Sequence, residues 1–107
     1  MKFKHFAVIV SSEGMDPKIH RHTIKTDKVT YTTVAVNAKH KEQVIEVAKE
    51  LIKEGAQIIE LCGGFGPLWI AKVIESTKNQ VPIGGVFYGP EARQGLVDLG
   101  LAQKLEF

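Results

Sequence analysis

The chain of 107 residues is long enough to bury the core of one domain, and we treat residues 1–107 as a single domain. Its composition, 44% hydrophobic and 24% charged, is ordinary for a globular protein and excludes a disordered or fibrous chain. The formal charge of +2 comes from 14 basic and 12 acidic residues spread along the sequence without a basic stripe, which argues against a nucleic-acid partner.

A single cysteine, Cys62, rules out an intramolecular disulfide framework and is typical of a reducing cytoplasm. The first apolar run covers only Phe6 to Val10 before Ser11-Ser12-Glu13-Gly14. A secretory signal needs roughly 7–15 apolar residues, and a membrane span needs about 20. We therefore expect a cytoplasmic protein without a membrane partner, in which this run is a buried strand.

Three elements are predicted in the first third of the chain. The first is a strand over about 3–10. Asp16 before Pro17 is a good helix opening and predicts one or two helical turns to about Arg21. The β-branched stretch 29–36 predicts a second strand, and its alternating threonines favour a half-exposed or edge position.

The clearest predicted element is a helix over about 40–54. Its apolar residues recur at helical spacing and form one continuous face: Val44, Val47, Ala48, Leu51 and Ile52. Gly55 follows where a left-handed residue commonly ends a helix. The nearly continuous apolar run 56–62 comes next. Such a run is typical of a strand covered on both faces in a parallel sheet.

The last third of the chain predicts one helix, one strand and an apolar tail. Pro67 opens a helix to about Thr77, and 82–89 is the fourth strand. The tail is too apolar for a free end, so we expect it to pack on this core or on a neighbouring subunit. Its apolar residues are Leu96, Val97, Leu99, Leu101, Leu105 and Phe107.

This order of elements predicts an α/β domain of two or three layers, with a four-stranded, mostly parallel sheet. We expect the flavodoxin-like strand order 2-1-3-4, with an antiparallel second strand as an open alternative. Ligands of such sheets bind beyond the carboxyl ends of the strands, where the order reverses. Ser11 to Gly14 and Cys62 to Gly64 would then face the same crevice.

The segment Glu60-Leu61-Cys62-Gly63-Gly64-Phe65-Gly66-Pro67 joins a strand to a helix through glycines. Backbone N–H groups and the helix dipole converge at such a turn and favour an anion. Gly63, Gly64, Phe65 and Gly66 are therefore predicted ligand-binding residues, together with Ser11. The spacing fits neither a dinucleotide fingerprint nor a Walker A loop. The alternative is a tight turn that merely needs glycine.

Glu60 and Cys62 are the candidate catalytic residues. A carboxylate inside an apolar strand is costly unless it is paired, and a buried one is a candidate general base. Strand alternation places Glu60 and Cys62 on one face. The alternatives are an ion pair for Glu60 and, for Cys62, a small buried hydrophobic residue rather than a reactive thiol.

Two arginines and a tyrosine are candidates to complete an anion site. Arg21 lies between His20 and His22, and we favour an anion contact by Arg21 over metal binding by the histidines, so no metal is predicted. Tyr88 and Arg93 flank the end of the fourth strand and could reach the same crevice. The alternative is a surface turn with a solvated arginine.

Several segments resemble a small family of uncharacterised bacterial and archaeal proteins of about this length. They are Met15-Asp16-Pro17 with His20-Arg21, Ala48-Lys49-Glu50-Leu51, Glu60 to Pro67, and Val81-Pro82-Ile83-Gly84 leading to Tyr88-Gly89. The resemblance covers most of the chain. It implies a shared α/β fold and no particular activity.

Two functions compete at this point. In the first, a small phosphorylated or carboxylated metabolite binds at Gly63–Gly66, Arg21 or Arg93 neutralises its charge, and Glu60 supplies proton-transfer chemistry without a cofactor. In the second, the protein is a non-catalytic module whose apolar tail and Trp69 form a homo-oligomeric interface. A homo-oligomer is compatible with both functions.

Overall fold

Five strands and three α-helices follow one another in the computed structural model, which describes residues 2–102. In chain order they are β1 (His5–Ser12), β2 (Arg21–Lys25), β3 (Thr30–Asn37), α1 (Gln43–Lys53), β4 (Ile58–Leu61), α2 (Gly66–Ser76), β5 (Ile83–Gly85) and α3 (Arg93–Asp98). A short 3₁₀ turn, Pro90–Ala92, precedes α3.

The strands form one sheet in the order β2-β3-β1-β4-β5. β1 pairs in parallel with β3 and β4, and β4 with β5, whereas β2 is antiparallel to β3. The α/β class and the mostly parallel sheet are thus confirmed. The prediction of four strands is wrong, because β2 adds a fifth beyond β3. The four stretches predicted as strands lie in the order β3-β1-β4-β5.

β2 begins where the sequence predicted the end of a short helix. Asp16 starts only one turn: its carbonyl accepts the His20 N–H at 2.7 Å, and its carboxylate accepts the Lys18 N–H at 2.9 Å. Arg21 already belongs to β2, in which all five residues are exposed. An exposed edge strand has no buried face and therefore no apolar alternation to reveal it. β3 is consequently an inner strand and not an edge.

Both α1 and α2 lie on the same face of the sheet. The connections from β3 to β4 and from β4 to β5 both move towards the β5 edge, so right-handed crossovers place their helices on one side. The two helices contact each other there. The core between them and the sheet comprises Ala7, Ile9, Val34, Val36, Val44, Val47, Ala48, Leu51, Ala56, Ile59, Leu61, Phe65 and Val73.

The opposite face of the sheet, called the open face below, is covered by no helix in residues 2–102. Apart from Ala35, which is buried, its central side chains are half-buried or exposed, and they are mostly apolar: Phe6, Val8, Val10, Tyr31, Thr33, Ile58 and Glu60. The expectation that the β4 run is covered on both faces is therefore wrong for the single chain. Within β4 only the alternate residues Ile59 and Leu61, whose side chains face the helices, are buried.

The end of α1 follows the prediction closely. Gly55 has φ +103°, the left-handed conformation expected after the last helical turn. Its N–H donates to the Ile52 carbonyl, and the Ala56 N–H donates to the Leu51 carbonyl at 2.9 Å. These two bonds close α1 and turn the chain back into β4.

The C-terminal arm, defined as residues 90–101, stands apart from the sheet and its helices. Among the described elements, α3 packs appreciably only on the Pro90–Ala92 turn, and none of its residues is buried. Leu99 and Leu101 are 73% and 72% exposed. The predicted apolar residues Leu105 and Phe107 lie outside the described residues. None of the described helices is long and apolar enough to cross a membrane.

Candidate functional site

The carboxyl ends of β1 and β4 bring Ser11 against the glycine loop, as the parallel pairing of these strands requires. The Ser11 hydroxyl oxygen lies 3.8 Å from the Cys62 sulfur. It would lie 2.8 Å from a β-carbon at Gly64, so any larger residue there would require the Ser11 hydroxyl or the loop to move. The structure thus joins Ser11, Cys62 and Gly64 in one cluster, called the loop cluster below.

The other two residues of the loop differ in burial, since Phe65 is buried and Gly66 faces open space. Phe65 is 5% exposed and fills the core beneath the start of α2, so its side chain is not presented to a ligand. Gly66 has φ +78° and faces open space. α2 starts there without a side-chain cap. Since Pro67 has no N–H, the first-turn amides left without a helical acceptor are those of Gly66 and Leu68.

Tyr88 reaches the loop from the segment after β5. Its ring carbon Cε2 would lie 3.1 Å from a β-carbon at Gly63, so the ring packs against the bare backbone of that glycine. Tyr88 is otherwise 62% exposed. Arg93, predicted beside it, is the first residue of α3 and is exposed in the C-terminal arm.

Lys41 is the cation that the sequence analysis missed. It lies in the connection from β3 to α1, at the same edge of the sheet, and its ammonium donates to the Gly64 carbonyl at 2.8 Å. In a parallel sheet every strand-to-helix connection meets this edge. The predicted helix over about 40–54 includes Lys41, whereas α1 begins only at Gln43 and leaves Lys41 in the connection.

Arg21 is engaged elsewhere. Its Nη2 donates to both carboxylate oxygens of Glu54, at 2.8 and 3.1 Å, just beyond the last residue of α1. The pair lies on the helix side near the β2 edge, and Arg21 is not part of the loop cluster. His20 accepts the Asp16 N–H at 2.9 Å. Within residues 2–102, no group of three or more His, Cys, Asp or Glu side chains is arranged to hold a metal ion.

Glu60 lies on the open face, since its register partners are Val8 and Gly84. It is half-buried and makes no hydrogen bond or ion pair with any described residue. Cys62 follows Leu61, the last residue of β4, and packs on the core side against Ser11. The shared face predicted for Glu60 and Cys62 is therefore wrong, because alternation ends with the strand.

The loop cluster, together with Lys41 and the start of α2 beside it, presents hydrogen-bond donors and one cation. They are the Lys41 ammonium, the Ser11 hydroxyl, and the first-turn amides of α2, which carry the positive end of the helix dipole. No acidic residue lies in the first turn of α2. Chemically, such a set favours an anion of small size.

Neither the curated proteins nor the solved structures include a match to this chain. One family model, described as a family of unknown function (DUF6506), matches residues 4–100. That match spans all the strands and helices described above, together with the loop cluster. The chain therefore belongs to the DUF6506 family of unknown function.

Proposed function

We propose that this protein binds a small anionic metabolite, phosphorylated or carboxylated, at the Gly63–Gly66 turn. The observation that carries the proposal is the position of Lys41. Its ammonium is held by the Gly64 carbonyl, which uses one of three N–H groups and leaves two for a ligand. A fixed cation beside an uncapped helix start is more favourable for an anion than either feature alone.

The glycines themselves support the proposal less than Lys41 does. Gly63 accommodates the ring of Tyr88, and Gly64 accommodates the hydroxyl of Ser11, so internal packing explains both. Gly66 is explained by its left-handed φ of +78°, and nothing lies within 4 Å of its β-position. The space before the first turn of α2 is open there, and a ligand oxygen would reach the amides of Gly66 and Leu68 from that side.

The proposal concerns binding and assigns no reaction. Glu60, the candidate base, lies on the open face, whereas Lys41 and Ser11 approach the loop from the helix side. A general base must come within hydrogen-bonding reach of the proton it removes. Proton-transfer chemistry by Glu60 would therefore need a ligand that extends over the end of the sheet.

The test is thermal unfolding in inorganic phosphate and in sulfate, with chloride at matched ionic strength as the reference. A ligand at 100 times its dissociation constant stabilises the folded protein by about 2.7 kcal/mol. We expect phosphate to raise the melting temperature of the natural protein and of Lys39→Met, but not of Lys41→Met. Lys39 is the matched control, because it is paired with Glu13 on the surface.

Equal stabilisation of Lys41→Met and the natural protein would contradict the site. Equal stabilisation by phosphate and chloride would contradict anion binding as such. Either result would leave the non-catalytic module as the better description.

A further inference from the structure

We propose that two copies of the chain pair by exchanging their C-terminal arms, so that residues 90–101 of each copy cover the open face of the other. The inference is independent of the proposed anion site. It rests on two unpartnered apolar surfaces of one chain, and on the area that the chain leaves exposed.

The open face is the first of these surfaces. Sheets built from parallel strands are nearly always covered on both faces, because their strands are apolar on both sides. Here four of the five strands are parallel, and only one face carries helices. Tyr31 is 46% exposed and Ile24 is 55% exposed on the bare side. A surface groove of about 360 Å³ lies there, and its lining includes Phe3, Phe6 and Tyr31.

The arm is the second surface. It starts from a fixed root, since the Val86 N–H donates to the Leu61 carbonyl at 3.0 Å and Tyr88 packs on Gly63. Beyond that root α3 packs on no strand of its own sheet to a comparable extent, within the described part of the chain. Its apolar residues are therefore available to another molecule. The most exposed of them are Leu99 and Leu101.

A second copy is the partner that matches both surfaces at once. In a two-fold symmetric dimer the arm of each copy binds the open face of the other copy. The interface is therefore closed, and neither apolar surface stays exposed. A different protein would need one apolar surface that binds the open face and a second that binds the arm. A second copy already carries both.

The solvent-accessible surface of the chain is larger than that of a typical folded monomer, which supports a dimer. The chain exposes 7553 Å², whereas a folded monomer of 11.8 kDa exposes about 5,900 Å². The six residues outside the described range would account for about 1,000 Å² at most, the exposure of an unfolded segment of that length. The remaining excess of roughly 600 Å² per chain approaches the ~800 Å² that each partner buries in a standard interface.

The first experiment measures the mass of the full chain in solution by light scattering after size-exclusion chromatography. We expect twice the chain mass of 11.8 kDa for the natural protein and a monomer for Leu99→Asp. Leu68→Asp is the matched control, because Leu68 is 76% exposed on α2 and belongs to neither surface. A monomeric natural protein, or a dimer that survives Leu99→Asp, overturns the proposal.

The second experiment tests the exchange itself and guards against misfolding. Tyr31→Asp places a charge on the open face and leaves the arm unchanged. Leu99→Asp places a charge on the arm and leaves the open face unchanged. We expect each variant alone to be monomeric. Mixed one to one they should form a heterodimer, because one intact arm still meets one intact face. Failure of the mixture to pair, while both variants unfold cooperatively, contradicts arm exchange. A Tyr31→Asp variant that pairs with itself contradicts the assigned face.

Discussion

The hydroxyl oxygen of Ser11 lies 2.8 Å from the point that a β-carbon at Gly64 would occupy. Real β-carbons do not approach an oxygen so closely, so in Gly64→Ala either the Ser11 hydroxyl rotates away from its position or β1 and the loop move apart. We expect a loss of about 1–3 kcal/mol of unfolding free energy, the usual cost of overpacking. Urea unfolding of the purified variant measures it.

The double variant Ser11→Ala/Gly64→Ala isolates that contact. Removing the hydroxyl makes room for the new methyl group, so the double variant should regain part of the stability lost in Gly64→Ala. Gly84→Ala is the control for glycine replacement in general, because nothing lies within 4 Å of its β-position. Simple additivity of the two single changes would contradict the contact.

Gly55→Ala is expected to destabilise the protein by about 1 kcal/mol, because φ +103° is unfavourable for any residue with a β-carbon. The same replacement at Gly95, inside α3, meets no neighbour and adds a better helix former. Gly95→Ala should therefore leave stability unchanged or raise it slightly. A comparable loss at both positions would show that backbone strain at Gly55 is not the cause.

Arg21→Met is expected to cost less than about 1 kcal/mol, since exposed ion pairs contribute about 0–1 kcal/mol. The side chains of Arg21 and Glu54 are 33% and 44% exposed. Added salt should shrink the difference between variant and natural protein. Stabilisation by phosphate should stay intact in this variant, because Arg21 is bonded to Glu54 and not to the loop. If phosphate no longer stabilised Arg21→Met, Arg21 would have to be part of the anion site.

Glu60→Gln is expected to leave the phosphate-induced rise in melting temperature unchanged. The substitution keeps the shape of the side chain and removes its charge on the open face, away from Lys41. The comparison is a phosphate titration of Glu60→Gln, Lys41→Met and the natural protein side by side. If Glu60→Gln behaves like Lys41→Met, the carboxylate takes part in the loop cluster after all.

Much of the fold follows from apolar pattern, and the exceptions have physical causes. β1, β3, β4 and both long helices each bury a face, so their patterns predict them. β2 buries nothing, and its Arg-His-Thr-Ile-Lys sequence therefore looks like a loop. The open face was missed because an apolar run does not say whether both faces of the strand are covered within the same chain.

The residues that come together in the candidate site could be predicted only where the strand order determines their positions. Ser11 and the glycine loop meet because β1 and β4 are parallel neighbours. Lys41 was missed because a long flexible side chain leaves no periodic signal. The sequence predicts Arg21 at the end of a short helix, whereas Arg21 begins β2, and from that position its side chain reaches Glu54.

The position of β1 in the middle of the sheet has a consequence for synthesis of the chain. The central strand is the first to be made, yet both of its neighbours come later, β3 first and β4 only after α1. Until β3 and β4 are in place, β1 is an apolar segment with two free edges, and such segments are prone to aggregate. The hairpin of β2 and β3 is local in sequence and fast to form. It is therefore the first structure able to cover one edge of β1, before β4 is available for the other.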